Sequence, residues 1–158
     1  MMKSKLPLLG GLSVNEFLRD YWQKKPLLIR HAIPRFNGLI DQQQLISLAC
    51  TDDVQARLVT QRQGKFILKQ APFEPADLDN LGKTKWTVLV QGVNHHLPQA
   101  AALLKQFSFI PHARLDDLMV SYAPKGGEWD RILTPTMCSC CRVRDIAAGR
   151  FPRRRIAV

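Results

Sequence analysis

The sequence has no apolar run approaching 18 residues, which excludes a membrane-spanning helix. Its first apolar patch, Leu6-Pro7-Leu8-Leu9, is too short for the core of a signal peptide, and no clear cleavage site follows it. The expected location is therefore the cytoplasm. Cysteine is scarce for most of the length: Cys50 stands alone and reads as a small buried apolar side chain. Cys138, Cys140 and Cys141 crowd together near the end, with a Cys-x-x-Cys spacing inside the cluster. A structural zinc site wants a second pair about a dozen or more residues away, and there is none. A cytosolic chain does not use such a cluster as a disulfide framework. Histidine is thin as well. Adjacent residues such as His95 and His96 would face opposite sides of a strand, and His96 with His112 has no ligand spacing. These, with His31, read as hydrogen-bonding or surface histidines. No internal repeat is visible.

Acid is in short supply: 13 Asp and Glu stand against 23 Lys and Arg, a formal charge of +10. Seven arginines and three acids fall in residues 128–158, so that short stretch carries +4 and residues 1–127 carry +6. A basic balance fits acidic partners such as nucleic acid or ribosomes, and fits equally a soluble protein with a basic surface. The run from Arg150 through Arg153-Arg154-Arg155 has the look of a nucleic-acid patch.

What is present is enough for one domain. A chain of 158 residues with 46% apolar side chains can bury a core. Ser13 with Glu16 three residues on makes a capping box, and Val14, Phe17, Leu18, Tyr21 and Trp22 recur at helical spacing until Pro26. Pro26 to Arg30 reads as a short buried strand. Asp41 caps a second helix running to Ala49. Ala56 to Thr60 and Lys65 to Lys69 read as a hairpin about the polar Gln61-Arg62-Gln63-Gly64 turn. Pro72 to Leu81 is loop or short helix. Trp86 to Gln91, β-branched and aromatic-rich, is the strongest strand signal. Helical periodicity returns from His96 to Gln106, and Leu115 to Tyr122 reads as a strand ending at Pro124-Lys125-Gly126-Gly127. From Glu128 onward no period is sustained.

Several of these segments together resemble the bacterial branch of the JmjC, cupin-fold iron(II)/2-oxoglutarate oxygenases that hydroxylates an arginine of a large-subunit ribosomal protein. The carrying residues are Phe17 to Pro26, Ala56 to Val59, Gly64-Lys65, Pro72-Phe73-Glu74, Trp86 to His95 and Leu115 to Tyr122. Their order and spacing carry the likeness from about Leu12 to Gly127. The resemblance implies an α+β fold: an N-terminal helix-strand region leading into the start of a double-stranded β-helix, with the barrel incomplete. It implies iron(II) and 2-oxoglutarate as the cofactors of the intact family, a ribosomal protein as substrate, and a homodimer at full length. It implies that Ser121, on the strand before the iron motif, lines the cofactor pocket; a strand Ser with an ordinary hydrogen bond is the plain alternative. Asp116 and Asp117 fit a charge-assisted contact to the substrate arginine, or simply mark the exposed entry to that strand.

In the family the Gly-Gly after this strand leads to a third Gly and Val-Gly-Pro-His-x-Asp, whose His and Asp are two of the three iron ligands. This chain instead reads Glu128-Trp129-Asp130-Arg131-Ile132-Leu133. Read from the third base of the Glu128 codon, the possible codons permit Val, force Gly, then permit Pro, His, Phe and Asp. Continued through Arg142 they permit Ser-Tyr-Asp-Val-Phe-Leu-Leu-Gln, with that Val forced by Met137-Cys138. The expectation is a one-base frameshift near Gly127. Residues 1–127 would be the N-terminal portion of the oxygenase and 128–158 an out-of-frame tail without evolved structure. No catalytic or metal-ligating residue is then expected in the chain, and neither cofactor is expected to bind it. Two other readings stay open: a basic ribosome- or RNA-binding protein without catalysis, the tail arginines adding nonspecific RNA affinity, and a small zinc protein using the cysteine cluster.

Overall fold

The computed structural model describes residues 5–79 and 81–124; the cysteine cluster and the arginine run of residues 128–158 lie outside the described residues. The chain divides into two compact units at the step from Asn37 to Gly38.

The first unit is built by local chemistry. A short 3-10 turn, Pro7–Leu9, closes at Gly10, whose left-handed backbone (φ 66°) suits glycine. Helix α1, Val14–Asp20, starts on the expected capping box. The Glu16 N–H donates to Ser13 Oγ at 3.3 Å, and the Ser13 N–H donates to Glu16 Oε2 at 2.8 Å. Phe17, only 1% exposed, is the buried anchor, with the Trp22 ring 6.0 Å away. Lys25 places its ammonium 4.4 Å from the centre of the Tyr21 ring. The strand expected at Pro26 to Arg30 does not form: the segment pairs with no strand among the described residues, and Leu28 is 71% exposed. Pro26 lacks the N–H that a ladder needs, and only alternate side chains there are half-buried, Ile29 lying against Gly10.

The second unit is an open four-stranded antiparallel sheet with helices packed on one face. Asp41 caps α2, Gln42–Ala49, and a second capping box joins it reciprocally to Gln44 at 2.8 and 3.0 Å. Strands β1 (Ala56–Arg62) and β2 (Lys65–Gln70) form the hairpin. The turn is tighter than its sequence suggests: the ladder runs to the Arg62–Lys65 pair, leaving Gln63 (φ 51°) and Gly64 (φ 77°) to make it. Two successive left-handed residues match the twist of the strands. A single helical turn, α3 (Pro75–Asp79), leads on towards β3 (Trp86–Val90), which is buried along its whole length. Strand β4, Val120–Tyr122, completes the order β2-β1-β3-β4.

Between β3 and β4 the sequence periodicity merges what the chain divides. Instead of one helix from His96 there are two, α4 (Val93–His96) and α5 (Pro98–Lys105). Leu97 between them is extended, because a residue before proline avoids the α region, and Pro98 then starts α5 at a position where its missing N–H costs nothing. His95 and His96 thus sit on a helical turn rather than a strand. The core gathers Leu45 and Ala49 of α2, Ala56 and Leu58 of β1, Val88 and Val90 of β3, and Phe73, Leu78, Val93 and Ala100. Burying each larger aliphatic or aromatic side chain contributes about 1.5–3 kcal/mol. Cys50, at the end of α2, packs partly buried against this core, and burial, then Asp77 and Asp79, push its thiol upward.

Candidate functional site

The sheet brings the sequence-chosen residues to one corner. Ser121 is the middle residue of β4 and stands opposite Leu89 of β3, which stands opposite Arg57 of β1. Directly opposed residues share a face, so Arg57, Leu89 and Ser121 form a row, with Arg57 and Ser121 about 10 Å apart at the backbone. Arg57 is held by the amide oxygen of Gln91, and the Gln91 N–H donates to the Gln55 carbonyl at 2.9 Å. Ser121 is half-buried on that face, and Leu89 beside it is buried.

Asp116 and Asp117 are not equivalent. Asp116 is exposed, whereas Asp117 is half-buried. Asp117 accepts the Gly92 N–H through Oδ2 at 2.5 Å. Gly92 is left-handed (φ 65°), and an added Cβ would come within 3.2 Å of the His95 ring. One residue on, Val93 donates to the Leu118 carbonyl at 3.0 Å, and Asn94 Oδ1 accepts the Leu118 N–H at 2.8 Å. These bonds take the backbone groups of Leu118 out of a strand ladder, which is why β4 starts at Val120 and not at Leu115. Sequence reasoning gives Gly92 and Asn94 no part in the site. Their signal is a Gly-x-Asn placed directly after the strongest strand.

Trp86 closes the other end of β3. Its indole N–H donates to the Gly82 carbonyl at 2.6 Å and its ring lies 5.5 Å from that of Tyr122. The histidines do not converge with the carboxylates: among the described residues no three His, Cys, Asp or Glu side chains gather as a metal ion requires. The described residues therefore bring together no set of iron ligands. No helix among the described residues is long and apolar enough to cross a membrane.

Comparison with known proteins places these segments. No family model matches the chain. It is 46% identical over 112 residues to a probable ribosomal oxygenase of Haemophilus influenzae, covering 70% of this chain and 28% of that protein. It is 39% identical over 112 residues to the ribosomal protein uL16 3-hydroxylase of Escherichia coli, covering 71% and 30%. Among solved structures it is similar to YcfD, a ribosomal oxygenase from Escherichia coli, with a TM-score of 0.68 at 39% identity, over 73% of this chain and 32% of that one. A further YcfD structure holds cobalt and 2-oxoglutarate. The chain spans less than a third of the length of these curated relatives. The open sheet and its helices match the corresponding part of the YcfD fold.

Proposed function

We propose that this chain, which over the 112 matched residues belongs with the JmjC-type ribosomal oxygenases, is the front portion of an iron(II)/2-oxoglutarate hydroxylase whose iron motif has been displaced out of frame. The reading rests on one observation above all. Sequence identity of 39–46% over 112 residues and a shared fold over 73% of the chain take in only about a third or less of those relatives. The uL16 hydroxylase supports a ribosomal protein as the substrate of the intact enzyme. The cobalt and 2-oxoglutarate bound by YcfD support those cofactors, with cobalt standing in for iron(II). When bound, that pair supplies the oxidising chemistry.

In this reading residues 1–127 are the evolved part and residues 128–158 are out-of-frame product, inactive as they stand. Ser121 lines the cofactor side of the sheet, half-buried beside Leu89. Of the two carboxylates, Asp116 is the one available to a substrate arginine, because Asp117 commits an oxygen to Gly92. The homodimer and the cytoplasmic location belong to the full-length enzyme.

The test is paired expression of the gene as it is and with one base inserted at codon 128. Succinate formation from 2-oxoglutarate is measured with iron(II) and a uL16 substrate. The gene as it is should give none, and the corrected gene should give turnover. Turnover by the uncorrected chain, or a folded corrected protein without turnover, would count against the reading.

A further inference from the structure

We propose that the tip of the β1–β2 hairpin, carrying Arg62, Lys65 and Lys85, is a docking surface for RNA phosphates. Arg62 and Lys65 stand directly opposite each other at the last pair of the ladder. Such a pair sets the two Cβ atoms about 5 Å apart, and like charges so placed repel. Lys85 joins them: its carbonyl accepts the Gln61 N–H at 2.9 Å, which holds its backbone beside the end of β1. Lys83 lies two residues before it, and all four are exposed.

Nothing on the hairpin relieves this repulsion. The sequence has no acid from Val54 to Phe73 and none from Asn80 to Leu115. Among the described residues, none of these cations enters an ion pair. Among the described residues, the acids nearest the hairpin lie towards the other end of the sheet. Asp52 and Asp53 precede β1, Asp77 pairs with Lys69 at 2.5 Å, and both Asp77 and Asp79 act on the Cys50 thiol at the end of α2. Lys69 is four residues along β2 from Lys65, about 13 Å away. The described acids thus lie away from the tip, while Arg57 and Lys69 share the base of the hairpin with them. A concentrated positive tip attracts a polyanion.

The choice of RNA rests on the proposed ribosomal function, since a ribosome surface is largely phosphate. Phe66, 43% exposed, faces the opposite side of β2 from Lys65, so the tip itself is a purely cationic surface.

Fluorescence anisotropy of a labelled ten-nucleotide oligouridylate, titrated with the 158-residue chain across a salt series, tests this. The Arg62→Gln, Lys65→Gln, Lys85→Gln variant removes three phosphate-binding cations and should bind about a hundredfold more weakly at 0.1 M salt. The slope of log affinity against log salt should also become shallower by about 2. Unchanged affinity and slope would overturn the proposal. So would a polyglutamate of equal charge that binds the unmodified chain as tightly as the RNA, since the surface would then be one for acidic protein. Photo-crosslinking of a 4-thiouridine oligonucleotide to the unmodified chain does not depend on how the variant folds. Crosslinks should map to peptides holding residues 62–66 or 83–85, and crosslinks confined to residues 142–155 would overturn it. RNA binding is read without iron, 2-oxoglutarate or ribosomal protein, so its failure and that of the hydroxylase reading are told apart.

Discussion

Asp116 and Asp117 are neighbours in sequence with different surroundings, and substitution should separate them. The hydrogen bond from the Gly92 N–H to Asp117 has a charged acceptor, a kind that contributes about 1.5–3 kcal/mol. Asp117→Ala should lower stability by about that much in urea titration, while Asp116→Ala should change it by less than about 0.5 kcal/mol. Glu16 offers a pH test. Hydrogen bonds from the Ser13 backbone and hydroxyl hold its carboxyl below the ordinary 4.5. Its contribution is therefore present above that value and lost as pH falls through the lower, folded value. Amide protection factors at the start of α1, which correct for the slowing of intrinsic exchange, should fall as pH drops from about 6 to about 3. Glu16→Gln should remove that pH dependence. The Ser13–Glu16 capping box and the Asp41 cap are legible in the sequence because each is local. The tie between Asp117 and Gly92 spans 25 and depends on how β3 and β4 come together, so no local pattern announces it.

Among the elements, β1, β2, β3, α1 and α2 are legible because periodicity, caps and turn residues agree there. The segment at Pro26 misleads because its apolar run has the look of a strand while its proline cannot pair. The region after β3 misleads because helical spacing carries across Leu97 while backbone geometry does not. The hairpin turn gives a prediction at this scale. Gln63 holds φ 51° with an ordinary side chain, and the next position is glycine at φ 77°. Gln63→Asn should stabilise the protein by a few tenths to about 1 kcal/mol, since asparagine tolerates the left-handed region, and Gly64→Val should destabilise it by about 1–2 kcal/mol. Thermal melting of both variants checks the opposite signs. Destabilisation by both would show that the turn has another geometry.

At the scale of the whole molecule, the sheet ends at β2 on one side and β4 on the other, and no strand among the described residues pairs with either edge. Phe66, Ile67 and Leu68 on β2 are all more than two fifths exposed. Unpaired edges carrying apolar side chains favour association between chains. The purified chain should therefore show concentration-dependent growth in light scattering, and a Phe66→Lys, Leu68→Lys variant should show less; a monodisperse parent chain would contradict this. The fold is legible as far as β4 because its segments carry their own periodicity. The proposed iron motif is not legible as residues; it rests on the codons that Glu128 to Leu133 permit in a neighbouring frame. The nucleotide sequence after codon 127 tests the frameshift most directly. Read from the third base of codon 128, it should encode Val-Gly-Pro-His-x-Asp and an uninterrupted strand beyond. A stop codon or an unrelated sequence in that frame would contradict the frameshift.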